Sequence, residues 1–111
     1  MQLSQEKCIP CQVGTPTIPK EEAEELLKEI PDWKLKDSKS IERKFKLGDF
    51  KQAIEFVNRI AEVAEAEEHH PDICIYYDEV NIELWTHKIG GLSRNDFILA
   101  AKIDEIMAEY E

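Results

Sequence analysis

Residues 41–64, IERKFKLGDFKQAIEFVNRIAEVA, change their hydrophobic period midway, and that change decides the fold class. Up to Leu47 the period is two. Ile41, Phe45 and Leu47, with the aliphatic stem of Arg43, face one side, and Glu42, Lys44 and Lys46 face the other. This is a strand with one buried and one wet face. Gly48-Asp49 then interrupts the alternation, and Asp49 is a suitable helix N-cap. From Phe50 the spacing becomes helical: Phe50, Ala53, Ile54, Val57, Ile60, Ala61 and Ala64 recur at i, i+3, i+4 and i+7. The helix is expected to fail near Glu68, because Pro71 disfavours helical geometry just before it.

Working outward toward the N-terminus, Trp33 and Leu35 start a short strand, and Asp37-Ser38-Lys39-Ser40 reads as a turn. Before them, Pro19 suits a first helical position, with Glu21 and Glu22 in the first turn. Ala23, Leu26, Leu27 and Ile30 form the apolar stripe of that helix, which Pro31 ends. Residues 1–18, broken by Pro10, Gly14 and Pro16, are expected to form an irregular arm.

Toward the C-terminus, residues 73–77 and 80–85 read as two strands around a tight Tyr77-Asp78-Glu79-Val80 turn. Val80, Ile82 and Leu84 point one way, and Asn81, Glu83 and Trp85 the other. Gly90-Gly91 is a flexible or left-handed bend. Ser93-x-x-Asp96 is a capping-box pattern opening a last helix over 94–110. The order α, β, β, α, β, β, α implies an α+β two-layer domain over residues 19–111. Its expected form is a four-stranded antiparallel sheet with helices packed on one face. The opposite sheet face would be partly free for a partner subunit.

The 111 residues fit one domain, and the 42% hydrophobic content permits a core. Small domains often gain stability by oligomerising, so self-association is expected. The formal net charge of −10 argues against nucleic acid and anionic membrane surfaces as partners. No apolar run approaches the roughly 20 residues of a membrane span, and the N-terminus lacks a signal-peptide core, so a cytoplasmic protein is the expectation. Cys8, Cys11 and Cys74 are too few for a disulfide scaffold, and reduced thiols are expected. Cys8-x-x-Cys11 has no second pair, which makes it weak as half of a zinc site.

The candidates for chemistry are the histidines. His69 and His70 end the long helix, and His87 follows the last strand. Histidine suits acid–base work because its ordinary pKa is about 6.5. Glu65, Glu67 and Glu68 crowd the same helix end, where carboxylates oppose the dipole at about 0.3–1 kcal/mol each. They would favour protonated imidazole. Glu65, four residues before His69, is the expected orienting carboxylate. Other readings stay open at this point. Histidines at a helix end serve as dipole partners, three histidines and a carboxylate are familiar zinc ligands, and Asp96 is accounted for by capping alone. Trp85 and Tyr77 are core or sheet-surface aromatics, or the walls of a site for a flat ring.

The spacing Glu65-x3-His69-His70-Pro71-x5-Tyr77-x9-His87-x8-Asp96 resembles the signature of the pterin-4a-carbinolamine dehydratases at every specified position. Trp-Thr-His-Lys at 85–88, Gly90-Gly91-Leu92 and Asn95-Asp96-Phe97 resemble the bacterial members, as does the Cys8-x-x-Cys11 arm followed by Gly14 and Pro16. The resemblance implies a carbon–oxygen hydro-lyase that converts 4a-hydroxytetrahydrobiopterin to quinonoid dihydropterin and water. That reaction recycles tetrahydrobiopterin for aromatic amino-acid hydroxylases. It also implies the same two-layer fold, a homodimer or dimer-based tetramer, and no metal or other cofactor. By the same resemblance, His69 and His87 are the acid–base pair and His70 positions substrate. Asp96 would orient His87 or its loop, and Glu65 would support His69. Glu68, His69, His70, Pro71, Tyr77, Trp85, Thr86, His87 and Lys88 would contact the pterin. Animal relatives in the family also act as a dimerisation cofactor of a homeodomain transcription factor, so a non-catalytic interaction module on this scaffold is the alternative.

Overall fold

A computed structural model describes residues 2–10 and 12–111. The elements run α1 (Lys20–Leu27), β1 (Lys34–Lys36), β2 (Ser40–Lys46), α2 (Phe50–Glu67), β3 (Asp72–Tyr76), β4 (Glu79–Leu84) and α3 (Arg94–Ala108). Short 3-10 turns at Leu3–Gln5 and His87–Ile89 complete the chain. All strand pairs are antiparallel, in the order β1-β2-β4-β3.

The alternation read from the sequence sets which sheet face is covered. Ile41, Phe45, Val80, Ile82 and Leu84 are buried together with Ala53, Phe56 and Ile60 of α2 and Phe97, Leu99 and Ile103 of α3. Glu42, Lys44, Asp72 and Cys74 are exposed on the other face. The architecture is therefore the α+β two-layer one. Ring contacts link the layers, with Phe45 5.9 Å from Trp33 and 5.0 Å from Phe56. Arg43, on the covered face, reaches Asp104 of α3 at 2.7 Å, and Trp33 Nε1 donates to the same oxygen at 2.8 Å. Burial pushes the Asp104 carboxyl up from its ordinary value, and these two donors pull against that shift.

Helix ends differ from the sequence reading by a few residues, for local reasons. α1 closes at Leu27, and Ile30 reaches the core from a following turn in which its N–H bonds to the Leu27 carbonyl. Pro31 forbids a further helical turn. α3 opens with the expected capping box, in which Ser93 N donates to Asp96 at 2.9 Å. The expected irregular arm contains the Leu3–Gln5 turn and lies against α3. Leu3 is 1% exposed and belongs to the core, which periodicity could not indicate. Cys11 lies outside the described residues, so the Cys8-x-x-Cys11 pattern is not placed.

Candidate active site

The site forms where the end of α2, the loop after β4 and the start of α3 converge. α2 stops because Glu68 takes a left-handed conformation, with φ 54°. Its N–H bonds to the Glu65 carbonyl, and the N–H of His69 reaches back to the Ala64 carbonyl. This is a Schellman closure, which satisfies the last carbonyls and turns the chain sharply. His69 therefore lies beyond the helix, and the i, i+4 geometry that would set Glu65 beside it does not apply.

His69 turns to Asp96 instead, with Nε2 2.6 Å from Oδ1. An ionised Asp96 can only accept, and against it Nε2 of the imidazole is the donor. The other carboxylate oxygen of Asp96 accepts from Thr86 Oγ1 and from Ser93 N, each at 2.9 Å. Asp96 is fully buried, and the His69 side chain is 11% exposed. One carboxylate thus caps α3, fixes the loop that carries His87, and orients His69. Glu65 faces His70, at 3.3 Å, in solvent. The supporting carboxylate of His69 is thus Asp96 and not Glu65.

The two adjacent histidines diverge, His69 inward and His70 outward. His87 lies against Trp85 with ring centroids 4.0 Å apart and planes tilted by 38°, and Trp85 Nε1 donates to Asp72 at 3.2 Å. Glu68, His69 and His70 line one side of an open cavity of about 550 Å³, and Trp85, Thr86, His87 and Lys88 line another. All three histidines of the chain thus face one space. Asp96 sits behind the wall, and Pro71 and Tyr77 do not line this cavity. Tyr77, with φ 56°, occupies the far turn of the β3–β4 hairpin and is exposed. Among the described residues, no group of three or more His, Cys, Asp or Glu side chains is arranged to hold a metal ion.

Lining residues absent from the sequence reading come mainly from the arm: Lys7, Cys8, Ile9 and Pro10. Glu67 and Asn95 bind this segment. Cys8 N donates to Glu67 at 2.7 Å, and Ile9 N donates to Asn95 Oδ1 at 2.8 Å. These contacts span 59 and 86 positions of chain, so no local signal announces them. The Cys8-x-x-Cys11 likeness to bacterial members was the one pointer to the arm.

An α+β domain with a buried carboxylate–imidazole pair and two further histidines at one cavity defines a class: small proteins equipped for proton transfer to and from a bound molecule. The sequence model of the family described as Pterin 4 alpha carbinolamine dehydratase matches residues 16–106, and the chain belongs to that family. A Halorhodospira halophila protein provisionally named pterin-4-alpha-carbinolamine dehydratase is 48% identical over 97% of this chain and 100% of its own. A Rickettsia bellii protein of the same provisional name is 50% identical over 92% of this chain and 91% of its own. The crystal structure of a transcriptional coactivator/pterin dehydratase from Brucella melitensis superposes with TM-score 0.78 and 32% identity, over 82% of this chain and 98% of that one. A pterin dehydratase-like RuBisCO assembly factor of the alpha-carboxysome shares the fold, with TM-score 0.60 and 23% identity over 68% of this chain and 89% of that one.

Proposed function

We propose that this chain dehydrates 4a-hydroxytetrahydropterins, 4a-hydroxytetrahydrobiopterin among them, to the quinonoid dihydropterin and water. The observation that carries this reading is the His69–Asp96 pair beside a cavity that His70 and His87 also face. In the reaction the C4a–O bond breaks and the hydroxyl leaves with a delivered proton as water. N5 of the pterin loses its proton, and the electrons of that N–H bond form the N5–C4a double bond. One acid and one base suffice, and no net proton is consumed. Groups that titrate near neutrality perform such transfers with about 10²–10⁴-fold effect each.

His69 and His87 are the proposed proton-transfer pair, and His70 is the proposed positioning group. With Nε2 of His69 donating to Asp96, Nδ1 is the nitrogen left to exchange a proton with substrate. Trp85, tilted against His87 and lining the cavity, offers apolar ring surface to a heterocycle. The proposed setting is tetrahydrobiopterin recycling for aromatic amino-acid hydroxylases in the cytoplasm, by a homodimer or dimer-based tetramer. The test is a direct assay with chemically generated 4a-hydroxytetrahydrobiopterin, with and without excess chelator. Accelerated dehydration in both supports the reading. An unchanged carbinolamine lifetime contradicts it.

A second reading has one observation in its favour. The fold is shared with a protein whose structure identifies it as a RuBisCO assembly factor, so the scaffold also serves assembly roles. Under that reading the exposed sheet face is the working surface, and the histidine variants would leave function intact.

A further inference from the structure

The family match begins at residue 16, yet Lys7, Cys8, Ile9 and Pro10 line the cavity. The arm that carries them is held along its length. Leu3 is buried, and its N–H donates to Glu29 at 3.3 Å. Arg94 grips Glu6 through two hydrogen bonds, at 2.8 and 2.7 Å. Asn95 clamps Ile9 from both sides, accepting from its N–H and donating to its carbonyl. Further on, Ile18 N bonds to the Leu92 carbonyl, and Thr17 lies so close to Gly91 that a Cβ there would stand 2.7 Å from its Cγ2.

Ile9 differs from the exposed Val13 of the same arm in lining the cavity on a backbone that Asn95 holds. Its backbone is held by Asn95, and the residue is 73% exposed at the wall of the cavity. With its backbone held in place at the cavity wall, Ile9 presents apolar surface that a bound ligand would remove from water. Pro10 follows it and restricts the same stretch of backbone.

We propose that Ile9 is a substrate-contacting residue and Asn95 its positioning residue, so that the arm outside the shared family domain forms an apolar wall against the bound pterin. This rests on the dehydratase reading. The site is then selective for pterins that present apolar surface toward the arm.

Steady-state dehydration of chemically generated 4a-hydroxytetrahydrobiopterin by the full chain tests this. Ile9→Ala should raise KM roughly tenfold, the scale on which a pocket reads lost methyl and methylene groups. Its kcat and its thermal unfolding midpoint should stay at wild-type values. Val13→Ala, at a position 85% exposed on the same arm but outside the cavity lining, should change nothing. Asn95→Ala should raise KM similarly, and the double variant should be no worse than Asn95→Ala alone, because both act through one contact. If Asn95→Ala fails to fold, Ile9→Ala alone decides. An active wild type with an indistinguishable Ile9→Ala variant overturns the assignment and leaves the dehydratase reading standing. An inactive wild type overturns both.

Discussion

Asp96 concentrates more of this molecule's chemistry than any other residue. Its two oxygens serve His69, Thr86 and Ser93, and none of it is exposed. Asp96→Ala would leave the buried Ser93 N–H without its carboxylate acceptor and take one of the Thr86 hydroxyl's two partners, and we expect a loss of roughly 2–3 kcal/mol in urea unfolding. Asp96→Asn keeps the volume but turns one acceptor into a donor. Its activity should fall about 10²-fold, with a smaller stability loss, in parallel dehydration and unfolding measurements. Cys8 illustrates the opposite kind of residue. Burial first, and the Glu67 carboxylate second, push its thiol up to about 12. At pH 8 it is a thiol, and the thiolate is the nucleophile. Iodoacetamide followed by peptide mapping should therefore label the exposed Cys74 well before Cys8 in the folded protein. Labelling of both at one rate would contradict the burial of Cys8.

The ends of the elements carry the next set of expectations. The β1–β2 hairpin turns through Asp37 and Ser38, both at positive φ, 51° and 57°. Left-handed backbone costs a side-chain-bearing residue about 1–2 kcal/mol, and the greater freedom of glycine in the unfolded chain offsets roughly 0.5–1 kcal/mol of that, so Ser38→Gly should raise the unfolding midpoint modestly. A lower midpoint would show that Ser38 makes a compensating contact. The arm is joined to α3 through Glu6, whose carboxyl the Arg94 guanidinium holds below its ordinary value of 4.5. A lowered folded value means that this contribution is fully present above the ordinary glutamate range. It is lost as pH falls through the lowered value. The difference in Tm between wild type and Glu6→Gln should therefore be present at pH 7 and shrink on acidification below about pH 4. A difference independent of pH would assign it to packing.

At the scale of the whole molecule, the sequence was legible where the governing contacts are local. The switch from period two to period 3.6 across Gly48-Asp49 placed β2 and α2, and Ser93-x-x-Asp96 placed the start of α3. The three histidines were also recognisable as a group, because spacing and family resemblance both operate along the chain. Contacts between distant segments were not legible. The left-handed turn at Glu68 moved His69 from Glu65 to Asp96, 27 residues away. The docking of Leu3 through Pro10 depends on α3, nearly a full chain length distant, and leaves no periodic trace.

The central claim is that this cavity performs histidine acid–base dehydration. It is tested most directly by the rate of 4a-hydroxytetrahydrobiopterin dehydration in wild type, His69→Ala and His87→Ala, with folding checked by circular dichroism. The account predicts an active wild type and a fall of about 10²-fold or more in each variant, both still folded. Wild-type rates in both folded variants would contradict it.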